Sequence, residues 1–127
     1  MDEDQTDVSL SDLQLDVMRA LWRRPDATVA QVAESMRPAR VLAHTTVATL
    51  LTRLEKRGLV SATRDGRQLL YRALASEPHI QHSMVTRLVS GLFQGKTSDL
   101  LSHLLRAEDI GDADLAQIRA LLDKERP

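Results

Sequence analysis

Cysteine is absent from this chain of 127 residues, and that one absence excludes disulfides, thiolate metal sites and cysteine nucleophiles together. Aromatic residues are nearly absent too. Trp22, Tyr71 and Phe93 are the only three, too few for a surface that stacks single-stranded bases on aromatic rings. No apolar run approaches the roughly 18 residues that cross a bilayer. The opening Met1-Asp2-Glu3-Asp4 is acidic where a secretory signal carries bases ahead of an apolar stretch. The chain is therefore expected in the cytoplasm, without membrane insertion. The short signatures of hydrolase, nucleotide and zinc-protease sites are missing, and Ser, His and Asp lie scattered without triad-like spacing. No enzymatic activity is expected. His79 and His82 stand three apart, but without a carboxylate cluster they make too weak a site, so neither metal nor cofactor is expected.

What is present is a core and an uneven charge. Hydrophobic residues make up 43% of the chain, enough for one compact domain or two small ones. The formal net charge of −1 hides three segments. Residues 1–10 hold four acids and no base. Residues 11–76 hold eleven Lys/Arg against six Asp/Glu, and residues 77–127 hold six against eight. A basic middle beside an acidic remainder is the charge pattern of a chain in which one part meets a polyanion and another part does something else.

Helix signals recur along the chain. Ser11-Asp12-Leu13-Gln14 is a capping box, followed by Leu13, Val17, Met18, Leu21 and Trp22 at helical spacing and by Pro25 as a stop. Thr28-Val29-Ala30-Gln31 is a second box, opening a short helix that Pro38 ends. A third helix is expected from His44 or Thr45 to Arg57, with Gly58 as its left-handed stop. Two short runs, Leu59 to Arg64 and Arg67 to Leu74, flank Asp65-Gly66, a two-residue hairpin signal. Helix, helix, helix, hairpin is the order of a winged helix-turn-helix. The remainder is read as three more helices. Ile80, Met84, Leu88 and Leu92 stripe the fourth, Leu100, Leu101, Leu104 and Leu105 the fifth, and Leu115, Ile118, Leu121 and Leu122 the sixth. These stripes are wider than three short helices can cover among themselves, and a second copy is the simplest cover.

A helical wheel sorts the third helix. Val47, Leu50, Leu51 and Leu54 cluster on one side, and Thr45, Thr49, Thr52 and Lys56 lie opposite, flanked by Ala48, Thr46 and Arg53. Threonine is a mediocre helix former, so a threonine face is odd for a merely solvated surface. It suits a major groove, where the hydroxyl meets base edges and the methyl meets thymine. His44, Thr45, Thr46, Ala48 and Thr49, at the helix entrance, are the candidate base readers. Thr52, Arg53, Lys56 and Arg57, with Arg64 and Arg67 on the hairpin, are the candidate phosphate contacts. A winged-helix module docking a protein through the same face is the alternative, and the basic flanks favour duplex DNA.

The residues also carry a resemblance. Leu13-x-x-x-Val17-Met18-x-x-Leu21-Trp22, Ala27-Thr28-Val29-x-x-Val32, and Thr45-Thr46-Val47-x-Thr49-x-Leu51-x-Arg53-Leu54-x-x-Arg57-Gly58-Leu59-Val60 resemble the penicillinase repressor (BlaI/MecI/CopY) family. The likeness continues through Asp65-Gly66-Arg67, Tyr71, Leu92-Phe93-x-Gly95 and Asp114-Leu115-x-x-Ile118-x-x-Leu121-Leu122. It implies a homodimeric winged-helix repressor on an inverted-repeat operator, paired through its C-terminal helices. The expected layout is an acidic disordered N-terminus over 1–9, a winged-helix DNA-binding domain over 10–75 and a helical dimerisation region over 76–127. The dimer candidates are Met84, Leu88, Leu92, Leu101, Leu104, Leu105, Leu115, Ile118 and Leu122. The resemblance further implies release by a membrane-bound sensor protease, and the matching bond here is His103-Leu104, where family members usually show Asn-Phe. The copper-responsive branch carries a cysteine cluster that this chain lacks, and His44 stands where Tyr is frequent.

Overall fold

The computed structural model describes residues 8–106 and 110–125. Its first two helices start by the same device. Ser11 Oγ accepts from the Gln14 amide at 3.1 Å while Gln14 Oε1 accepts from the Ser11 amide at 3.0 Å, opening α1 (Asp12–Arg23). Thr28 and Gln31 repeat the exchange at the start of α2 (Val29–Met36). Each box satisfies amides that a helix start otherwise leaves unpaired. The third helix, α3 (His44–Lys56), begins after Ala43 and has no side-chain cap.

The end of α3 is closed by the glycine that the sequence placed there. Gly58 takes φ +78°, its amide donates to the Glu55 carbonyl, and the Leu59 amide donates to the Leu54 carbonyl. This is a Schellman stop, and its apolar partners Leu54 and Leu59 are both buried. The chain leaves it directly into β1 (Val60–Asp65), which pairs antiparallel with β2 (Gln68–Ala73) in a register running from Val60 opposite Ala73 to Asp65 opposite Gln68. The turn is therefore Gly66-Arg67, one residue later than the expected Asp65-Gly66. Gly66 carries the left-handed φ, +64°, at the first central position, as a type II′ hairpin turn requires. Pairing decided the shift, because it sets Val60 and Ala62 opposite Ala73 and Tyr71 on the face turned to the core.

Contacts distant in sequence secure this hairpin. Ala27 bridges Tyr71 with amide–carbonyl distances of 3.0 and 2.8 Å, so β2 is paired on both edges there. One residue earlier, Asp26 holds Arg72 through two bonds of 2.9 and 2.6 Å. Trp22 Nε1 donates to the Ala75 carbonyl at 2.9 Å, tying α1 to the strand exit. The core beneath is built from Val17, Met18, Leu21, Val32, Val47, Leu51, Leu54, Val60 and Ile80, all essentially inaccessible. Among the described residues the fold is thus a winged helix followed by α4 (Glu77–Leu92), α5 (Thr97–Arg106) and α6 (Asp112–Glu125), mainly α with a two-stranded wing.

Two expectations about the boundaries change. Val8, expected to be disordered, is buried beside Leu10 in the core; residues 1–7 lie outside the described residues. The chain divides into two compact units between Val85 and Thr86, inside α4, rather than at residue 75. Ile80 is the cause, since it is buried completely and carries the first half of α4 into the winged-helix core. Met84, expected with the dimer leucines, is half-buried against the same core. In the second unit α4 ends at Leu92; Gln94 and Gly95 just beyond it take positive φ, and no described residue is buried.

Candidate nucleic-acid interface

The buried stripe of α3, Val47, Leu50, Leu51 and Leu54, determines what the helix shows to solvent. Thr45, Thr46, Thr49, Thr52, Arg53 and Lys56 are all exposed, with Ala48 half-buried at the edge. Two of the hydroxyls are already committed. Thr49 Oγ1 donates to the Thr45 carbonyl and Thr52 Oγ1 to the Ala48 carbonyl, each at 2.9 Å.

A groove of about 520 Å³ opens beside the helix entrance. His44, Thr45 and Ala48 of α3 line one wall, and Arg64, Arg67, Gln68 and Leu69 of the wing line another. The start of α2, Thr28 to Ala30, closes the third side. The groove unites five of the residues singled out from sequence. Thr46, Thr49, Thr52, Arg53, Lys56 and Arg57 do not line it and lie exposed elsewhere along α3 or at its end. Sequence reasoning missed Thr28, Val29, Ala30, Gln68 and Leu69. The second capping box marked where α2 starts, which was the available hint that its entrance could lie beside α3.

Charge divides into two sets. Asp16 takes Arg40 at 2.6 Å and Arg19 at 2.9 Å, and the bond from Arg40 above all holds its carboxyl below the ordinary 3.8. Asp26 is held low in the same sense by Arg72, whose own pKa is raised in return. These arginines serve the fold. By contrast Arg53, Lys56, Arg57, Arg64 and Arg67 form no ion pair among the described residues. Five uncompensated cations are therefore carried by α3, its end and the wing, and Arg23 and Arg24 at the end of α1 also form no ion pair among the described residues. An exposed helix with an acceptor- and methyl-bearing face, fringed by unpaired cations, can enter a groove of a polyanionic duplex.

The family comparison agrees. The penicillinase repressor model matches residues 10–124. The chain belongs to the penicillinase repressor family. It is a winged-helix, DNA-binding transcriptional repressor of the BlaI/MecI type. It is 36% identical over 118 residues to "Transcriptional regulator BlaI" of Mycobacterium tuberculosis, covering 91% of this chain and 85% of that one. It is 23% identical over 122 residues to "Methicillin resistance regulatory protein MecI" of Mammaliicoccus sciuri, covering 96% and 99%. The solution structure of the DNA-binding domain of the repressor BlaI superposes with a TM-score of 0.50 at 25% identity, covering 56% of this chain and 87% of that domain.

The remaining expected sites fall in the second unit. His103 and Leu104 are exposed within α5, and the His103 ring packs 5.4 Å from that of Phe93. Leu88, Leu92, Leu101, Leu104, Leu105 and Leu122 are exposed, and Leu115 and Ile118 are half-buried. Among the described residues no cluster of three His, Asp or Glu could hold a metal ion, and no helix is long and apolar enough to cross a membrane.

Proposed function

We propose that this repressor binds an inverted-repeat operator in duplex DNA as a homodimer. Each protomer lays α3 in the major groove, with His44, Thr45, Thr46, Ala48 and Thr49 toward the base edges. Arg53, Lys56 and Arg57 grip phosphates beside it, and Arg64 and Arg67 on the wing grip the neighbouring backbone. The exposed leucines of α4, α5 and α6 join the two copies. The observation that carries the reading is the composition of one surface: the exposed threonine face of α3 shares its helix and the neighbouring wing with five cations that have no acidic partner among the described residues.

Release follows from the same layout. Cutting His103-Leu104 removes α6 and the end of α5, and with them most of the exposed leucines. The bond lies inside a helix, so a membrane-bound sensor protease reaches it only after local unfolding of α5.

The test of DNA binding is a gel shift with bulk genomic fragments at two salt concentrations. A dimer using two helices and two wings neutralises roughly 6–10 phosphates, so affinity falls on the order of 10³–10⁵-fold between about 50 and about 200 mM salt. A flat salt response would sink this mechanism.

A further inference from the structure

The threonine face of α3 holds two kinds of hydroxyl. Those of Thr45 and Thr46 make no hydrogen bond among the described residues, while those of Thr49 and Thr52 each donate to the carbonyl four residues back. A hydroxyl has one proton to give. Once that proton is on the helix carbonyl, the side chain cannot also donate outward. Phosphate oxygens, guanine O6 and N7, adenine N7 and thymine O4 are acceptors only, so none of them can take a hydrogen bond from these two side chains. What Thr49 and Thr52 still offer to a ligand is the γ-methyl group and the Oγ1 lone pairs, which in the major groove only the adenine N6 and cytosine N4 amino groups can meet.

We infer that Thr49 and Thr52 read the operator through their methyl groups, against thymine C5-methyls, and that Thr52 makes no phosphate contact. The inference rests on α3 occupying the major groove as proposed above, and it departs from the phosphate role that the place of Thr52 on the helix suggests. It also separates the face by function. Thr45 and Thr46, whose protons are uncommitted, are the threonines able to donate to base acceptors, whereas Thr49 and Thr52 recognise apolar surface. The operator positions facing the middle of α3 are then chosen for the thymine methyl.

The experiment uses the full-length chain and a duplex that it selects from a randomised pool, with a scrambled duplex as control. Thr49→Val and Thr52→Val keep the branched shape and a methyl group but have no hydroxyl. Thr49→Ser keeps the hydroxyl and loses the methyl. The expected result is that both valine variants bind the selected duplex within about threefold of wild type. Thr49→Ser should lose about fourfold, the worth of one buried methyl group. Replacing the facing thymine by deoxyuridine should cost wild type a similar factor and cost Thr49→Ser nothing further. Loss of about tenfold or more in either valine variant, with unchanged circular dichroism, would overturn the inference, because it would mean that the hydroxyl itself bonds to DNA. Equal binding by Thr49→Ser and wild type would overturn it as well. If Arg53→Ala also bound both duplexes like wild type, the failure would lie with the placement of α3 and not with its threonines.

Discussion

The helices of the first unit turn their apolar residues inward, and those of the second unit do not. In α1, α2 and α3 the central apolar residues of each stripe are buried, and Leu13 and Val29 are partly buried against the same core. In α5 no residue is buried, and Leu92, Leu105, Leu121 and Leu122 are each more than half exposed. Both halves carry apolar residues at helical spacing, yet only the first unit buries them within one chain. The winged helix has a third layer, the wing, to close its core, whereas α5 and α6 are too short to cover each other. An exposed apolar surface of this kind marks an interaction site. The difference teaches that the first unit closes its own core, and under the proposed function a second copy closes the apolar surface of the other.

The largest expected effect comes from charging the exposed stripe. Leu101→Glu or Leu122→Glu should place an uncompensated carboxylate in the dimer interface, at a cost of several kcal/mol. Operator binding should collapse in a gel shift, while near-ultraviolet circular dichroism of Trp22 and Tyr71 stays unchanged. Truncation after His103 comes next. It should abolish tight operator binding and leave the winged-helix unit folded, measurable as a retained thermal transition. If either change unfolded the first unit, the division drawn here would be wrong.

Finer effects lie within the first unit. Arg53→Ala should weaken binding to all duplexes alike, whereas Thr49→Ala should shift preference among operator variants by roughly 1 kcal/mol or more per position. Anisotropy titrations on two operator variants separate the two behaviours. The smallest effect concerns acid. The Asp16 and Asp26 carboxyls are held below their ordinary 3.8 by Arg40 and Arg72. A depressed folded pKa contributes stability that is fully present above the unfolded value and fades as pH falls through the folded one. The melting temperature of the first unit should therefore drop below about pH 4. Asp16→Asn and Asp26→Asn should each make that drop shallower, by a small amount because both pairs are solvated.

Much of the winged helix was legible because its signals are local. Two capping boxes and Gly58 mark three helix ends, and the wheel of α3 separates buried leucines from exposed threonines without any tertiary knowledge. The rest depends on contacts between distant residues. Nothing near Asp65-Gly66 reveals that pairing moves the turn to Gly66-Arg67, because Ala62 meets Tyr71 across the hairpin and Tyr71 meets Ala27 far upstream. The burial of Ile80 looks, in sequence, like one more position on the stripe of α4. The candidate interface shows the same limit. Its cations could be counted, but their sorting into paired and unpaired could not, since Arg40 finds Asp16 and Arg72 finds Asp26 from 24 and 46 residues away. The groove residues Thr28, Gln68 and Leu69 come together only when α2 and the wing are folded around α3.

Sedimentation equilibrium of the full chain tests the division between the halves most directly. Each copy weighs 14.2 kDa. The account predicts a species of twice that mass for the wild type and of the single-chain mass for Leu101→Glu. A wild type that sediments as a single chain, or a Leu101→Glu variant that remains a pair, would contradict it.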